Sequence, residues 1–191
     1  MIGLFGGAFD PPHNGHVALL GQARAALGLD ETVVIVAAAP GHKAVETDAS
    51  VRLRLAEAAF PEETVVLDDH ARTIDMLHEH PEWEGAVFLL GADEFAAFPG
   101  WKEPEALLEL VRLGVATRPG FPQESLDAVL ARLDHPDRVA FFDLEPLPIA
   151  SSELRRRLDE GDDVSALVPA AVWEQIERDG LYGRGGYTGA A

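Results

Sequence analysis

The chain has 191 residues, 47% of them hydrophobic and 25% charged, enough to bury one substantial core. It contains no cysteine, which excludes disulfides and thiolate metal sites and suits the cytoplasm. Asp and Glu number 33 against 15 Lys and Arg, and a formal net charge of −18 repels nucleic acids and anionic membranes at long range. No apolar run approaches the roughly 18 residues that a bilayer span requires, and no basic stretch precedes the first strand as a signal peptide would need. Any anion site in so acidic a protein has to be built locally. Lys43 and Lys102 are the only lysines.

In chain order, an apolar run predicts a strand at 2–5, and Val17, Leu20, Ala23 and Leu27 give one apolar stripe on a helix at 15–27. Gly28 stands where a helix-terminating glycine belongs. Strands follow at 32–38, 64–68, 86–90, 114–117 and 139–143, separated by helices at 50–59, 73–79, 103–111 and 123–133. Most of the strands are continuous apolar runs, as parallel strands covered on both faces should be. Two further helices, at 151–159 and 169–178, follow the last strand and are closed by Gly161 and Gly180. This alternation predicts an α/β fold, a doubly wound, Rossmann-like parallel sheet with ligands at the C-terminal ends of its strands. Residues 1–182 are expected to form a single domain, with 150–182 as a C-terminal helical part that completes the nucleotide site and 183–191 as a disordered tail.

The strongest local signal follows the first strand: Gly6-Gly7-Ala8-Phe9-Asp10-Pro11-Pro12-His13-Asn14-Gly15-His16. The paired glycines let backbone approach a ligand closely, and the prolines stiffen the loop. Asn14 is a natural N-cap, which would aim free backbone N–H groups and the positive end of the helix dipole at the strand edge. His13 and His16 flank that spot and can donate to phosphate oxygens. Two histidines three apart can also bind zinc, but no third ligand is nearby. A Walker A loop is excluded, because no Gly-Lys-Ser/Thr follows.

This segment resembles the signature of the nucleotidylyltransferase superfamily, and its Pro-Pro-His form resembles the nicotinate mononucleotide adenylyltransferase family in particular. The resemblance extends through Pro40-Gly41-His42-Lys43, Arg52-Leu53, Gly91-Ala92-Asp93, Trp101-Lys102, Arg118-Pro119-Gly120 and Ile149-Ala150-Ser151-Ser152-Glu153-Leu154-Arg155. It implies adenylyl transfer from ATP to nicotinate mononucleotide in NAD biosynthesis, with Mg²⁺ arriving on ATP. His13, His16 and Arg155 would carry catalysis. Gly6, Gly7, Phe9, Gly15, Gly91, Asp93, Ser151 and Ser152 would bind ATP, with Ser151 or Ser152 capping the late helix. Lys43, Thr73 and Trp101 would hold the mononucleotide.

Two departures stand in the late motif, where Ala150 replaces a serine and Ser152 a threonine. The weakest match is Ala71-Arg72-Thr73-Ile74-Asp75-Met76, where Arg72 is a candidate partner for the nicotinate carboxylate. Arg52 reads as structural and Arg118 as diagnostic rather than catalytic. Asp68, Asp69, His70, His78 and His80 read as solvated residues rather than a metal site. Rival readings are another transferase of the superfamily, for phosphopantetheine or cytidylyl groups, and a nucleotide sensor without catalysis. The sequence leaves a homo-oligomer open.

Overall fold

The computed structural model describes residues 1–41, 45–145 and 147–183, so nearly all of the expected tail lies outside the described residues. Six strands form one sheet: β1 (Ile2–Gly7), β2 (Glu31–Ala37), β3 (Thr64–Asp68), β4 (Val87–Gly91), β5 (Arg112–Thr117) and β6 (Val139–Asp143). Their order is β3-β2-β1-β4-β5-β6, so the winding reverses between β1 and β4. β1 and β4 are parallel, with Gly3 opposite Val87 and Phe5 opposite Leu89. β5 continues the parallel ladder beside β4, and β6 beside β5. The doubly wound expectation holds.

Between and after the strands lie α1 (Asn14–Leu27), α2 (Ala49–Ala59), α3 (Thr73–Glu79), α4 (Ala92–Ala97), α5 (Pro104–Leu110), α6 (Gln123–Leu130), α7 (Ser151–Glu160) and α8 (Ala170–Asp179). All but α4 match the helices read from apolar spacing. α4 has six residues, too few for a periodic stripe to show, and runs directly into a 3-10 turn at Phe98–Gly100. Gly28, Gly161 and Gly180 take positive φ of 65°, 87° and 62° and close α1, α7 and α8, where a side chain would be strained.

The chain folds as two compact units, each drawn from several stretches of sequence. The first comprises 1–6, 18–33 and 70–146. Its core is aliphatic and aromatic: Leu4, Ile74, Phe95, Phe98, Leu107, Leu108 and Leu113 are each no more than 1% exposed. The second comprises 7–17, 34–69 and 147–191. Its core contains Phe9, Val34, Val36, Leu55, Leu154 and Val172, and it also encloses Asp10, His13 and Arg52. Buried polar groups of this kind require partners, and those partners define the candidate site.

Candidate active site

In the second unit the loop from Gly7 to His16 is held from below by aromatic packing. Phe9 takes a left-handed φ of 52°, and the residue is 1% exposed. Its ring meets His16 edge-on at 5.1 Å and Phe60 at 5.8 Å. A Cβ at Gly7 would lie 2.8 Å from it, so only glycine fits there. The ring of Phe9, a residue expected among the ATP contacts, is therefore buried and supports His16 from the core.

The two imidazoles stack, with centroids 3.8 Å apart and planes 29° from parallel. The backbone N–H of His13 donates to His16 Nδ1 at 3.2 Å. That bond makes Nδ1 an acceptor and leaves the proton of a neutral His16 on Nε2. His13 is 6% exposed, and burial pulls its pKa from the ordinary 6.5 down to about 4, against a backbone hydrogen bond acting the other way. It is a neutral imidazole at neutral pH. Its buried Nδ1 has no hydrogen-bond partner among the described residues. A Cβ at Gly15 would touch the same ring at 3.0 Å, so the second glycine of the turn keeps it in place.

The capping expectation is corrected. The N–H groups of His16 and Val17 both donate to the His13 carbonyl, which makes His13 the cap and Asn14 the first helical residue. The Asn14 amide instead donates to the Ala166 carbonyl at 3.1 Å. The same shift of one position occurs at α7. There Ala150 is the cap, without a side-chain bond, while Ser151 is helical and donates from Oγ to the Pro11 carbonyl at 3.0 Å. Neither Ser151 nor Ser152 caps the helix. Ser151 ties α7 to the loop, and Ser152 is exposed.

Sequence reasoning missed the centre of this arrangement, which is Asp10. The residue is 1% exposed. Its carboxylate accepts hydrogen bonds from Thr47 Oγ1 at 2.6 Å, from the Glu46 backbone N–H at 2.6 Å and from the Tyr182 hydroxyl at 2.7 Å. Burial and the Asp10 charge push the Tyr182 phenol up from its ordinary value, so the hydroxyl stays protonated and donates. Arg155 Nη1 donates to the Asp10 carbonyl at 2.7 Å and lies 3.8 Å from the carboxylate. Its Nε donates to Glu46 at 3.0 Å. The only sequence signal for this hub was an acid standing immediately before Pro11 and Pro12.

Arg52, read as structural, is the largest fully buried side chain. Its guanidinium donates to the carbonyls of Ala8 at 2.8 Å, Ala37 at 2.7 Å, Ala38 at 2.7 Å and Thr47 at 3.2 Å. It ties the first loop, the end of β2 and the entry to α2 together by the carbonyls that irregular backbone leaves unpaired. Loop, strand end and helix entry thus share one cation.

Most of the other expected residues lie in the first unit. Gly91 ends β4, and its N–H donates to Glu94 Oε2 at 3.0 Å. Asp93 sits in the first turn of α4 and pairs with Arg118 at 3.0 Å. Trp101 packs against Phe98 at 5.5 Å and Phe88 at 6.2 Å and remains partly exposed. Beside it Lys102 pairs with Asp75 at 2.6 Å. Thr73 opens α3, and Arg72 precedes it, exposed and donating to the adjacent Ala71 carbonyl. His70 lies 3.3 Å from Glu79, and His80 pairs with Glu82 and stacks on Trp83 at 3.9 Å. Lys43 lies outside the described residues.

Among the described residues no helix is long and apolar enough to cross a membrane. A cytidylyltransferase-like family model matches residues 4–157. A probable nicotinate-nucleotide adenylyltransferase of Thermus thermophilus is 39% identical over 95% of this chain and 98% of its own. One from Rubrobacter xylanophilus is 33% identical over 95% and 91%. In three dimensions the chain is similar to the Plasmodium falciparum nicotinic acid mononucleotide adenylyltransferase complexed with NaAD. The TM-score is 0.76 at 20% identity, covering 95% of this chain and 96% of that one, a likeness of fold alone. From the first loop to the serine-arginine helix, the chain belongs to the cytidylyltransferase-like family and, within it, to the nicotinate-nucleotide adenylyltransferases.

Proposed function

We propose that the protein transfers the adenylyl group of MgATP to nicotinate mononucleotide, in the cytoplasm, as a step of NAD biosynthesis. The observation that carries this reading is the joining of the His13–His16 turn to Arg155 through Asp10 and Pro11. The first loop and α7, which carry the proposed phosphate donors, are joined within the second unit, and this supports the reading.

A phosphate oxygen of the mononucleotide attacks the α-phosphorus of ATP in line. The bond from that phosphorus to the bridging oxygen breaks, and diphosphate leaves with the electron pair. The nucleophile is already ionised, so no general base is needed, and catalysis rests on alignment and charge stabilisation. His16 donates from Nε2 to the α-phosphate, whose charge grows in the transition state. Neutral His13 and cationic Arg155 serve the outer phosphates, with Arg155 able to bind two oxygens at once. Gly6, Gly7 and Gly15 keep the backbone close to the triphosphate, and Ser151 and Ser152 bring the start of α7 to it. Mg²⁺ travels with the nucleotide as part of the substrate, and the Asp10 oxygens, committed to protein donors, are not offered to it.

In the first unit Gly91 and Asp93 receive the adenosine ribose, and Trp101 lays its indole against the pyridine ring. Thr73 and Arg72 address the carboxylate, and Lys43 the acceptor phosphate. A coupled diphosphate-release assay tests the whole reading. Turnover should require ATP with nicotinate mononucleotide. Equal turnover with CTP or a phosphopantetheine acceptor, or nucleotide binding without turnover, overturns it. An Arg72→Ala variant in the same assay should lose preference for nicotinate over nicotinamide mononucleotide.

A further inference from the structure

The Arg155 guanidinium is 11% exposed and already holds a carbonyl and two carboxylates before any nucleotide arrives. The partners differ in how easily they can leave. The Asp10 carbonyl and carboxylate belong to a residue 1% exposed and fixed by Thr47, Tyr182 and the Glu46 N–H. The Glu46 carboxylate is 59% exposed, reaches Arg155 from its own flexible side chain, and borders a cavity of about 350 Å³ shared with Arg155, Ser152, Asp159 and Tyr182. Glu46 places a second carboxylate against this cation, where it competes with an incoming polyanion.

We propose that Glu46 is an exchangeable counter-anion on Arg155, displaced by the outer phosphates of ATP on binding and returning as diphosphate leaves. This rests on the reading that Arg155 takes those phosphates. A carboxylate brings a single negative charge to a guanidinium, whereas a terminal phosphate brings more charge and more acceptor oxygens, so the nucleotide wins the exchange. The competition nonetheless weakens its binding and, by the same amount, weakens retention of the product. Glu46 is a positioning residue: it acts through Arg155 and leaves the reacting atoms alone. Its backbone N–H, which holds Asp10, is untouched when only the side chain is changed.

Calorimetric titration of the full chain with inorganic diphosphate, with an ATP analogue carrying a non-transferable α,β-methylene bridge, and with AMP tests this. Glu46→Gln should tighten diphosphate and the analogue by about two- to five-fold, the range expected for removing a partly exposed pairing charge. AMP, which lacks the outer phosphates, should bind as before. In an Arg155→Met background the same change at Glu46 should give no gain. Unchanged or weaker binding of diphosphate in Glu46→Gln overturns the exchange, as does a gain that persists without Arg155. A parent protein that binds neither ATP analogue nor diphosphate would instead sink the assignment of the triphosphate to this loop.

Discussion

Asp10 and Asp93 stand in the same fold just past the ends of neighbouring strands, and their surroundings are opposites. Asp10 is 1% exposed and engaged by Thr47, Glu46, Tyr182 and Arg155. Asp93 is 68% exposed and pairs with one arginine that is itself 56% exposed. The first is a component of a buried network whose members cannot be removed singly without stranding the others. The second is a surface pair, screened by solvent and free to exchange a protein partner for a ligand. The contrast points to a division of labour. The buried carboxylate is fixed by the fold itself, and the exposed one can change partner.

The sharpest way to break this contrast is to remove the buried cation. Arg52→Ala should destabilise the fold by about 3–5 kcal/mol, because four carbonyls lose their donor and the Asp10 charge loses a neighbouring cation. Urea unfolding measures this, and a loss below about 1 kcal/mol would mean that the network is not cooperative.

His16→Ala should leave the fold intact and lower kcat by about 10²–10³, or roughly 2.7–4 kcal/mol, as loss of one preorganised donor does. Steady-state kinetics with near-normal kcat would take His16 out of the mechanism.

His13 makes a pH signature. Its folded pKa of about 4 lies below the unfolded 6.5, so the folded state binds fewer protons in between. The stability it contributes is complete above about pH 6.5 and is lost as pH falls through about 4. The loss attributable to His13 should reach about 3 kcal/mol by pH 4. Unfolding curves of the wild type and His13→Asn between pH 4 and 8 should therefore converge at the acid end. Parallel curves would show that His13 is not buried in its neutral form.

At the other extreme, Arg118→Ala should change stability by less than about 1 kcal/mol in thermal melts, since both partners of its pair are exposed. A larger loss would erase the distinction between the two carboxylates.

The strands and longer helices were readable because apolar runs and three-four spacing are local properties. α4 was not, since six residues carry no period. The caps at Asn14 and Ser151 were each misplaced by one position, because both side chains take partners outside their own helix: Ala166, and Pro11 from 140 residues away. The histidines of the first loop were legible from residue type and spacing, yet nothing local marks Asp10 as a hub. Its partners Thr47 and Tyr182 stand 37 and 172 residues along the chain. Arg52 could be recognised as structural, but which carbonyls it serves is a fact of tertiary packing alone.

The bond from Tyr182 to Asp10 has a consequence for synthesis. A ribosome makes position 182 only 172 residues after position 10, so the loop waits that long for this donor. A stop before position 182 would leave this carboxylate, in the same loop as the histidines, short of one donor.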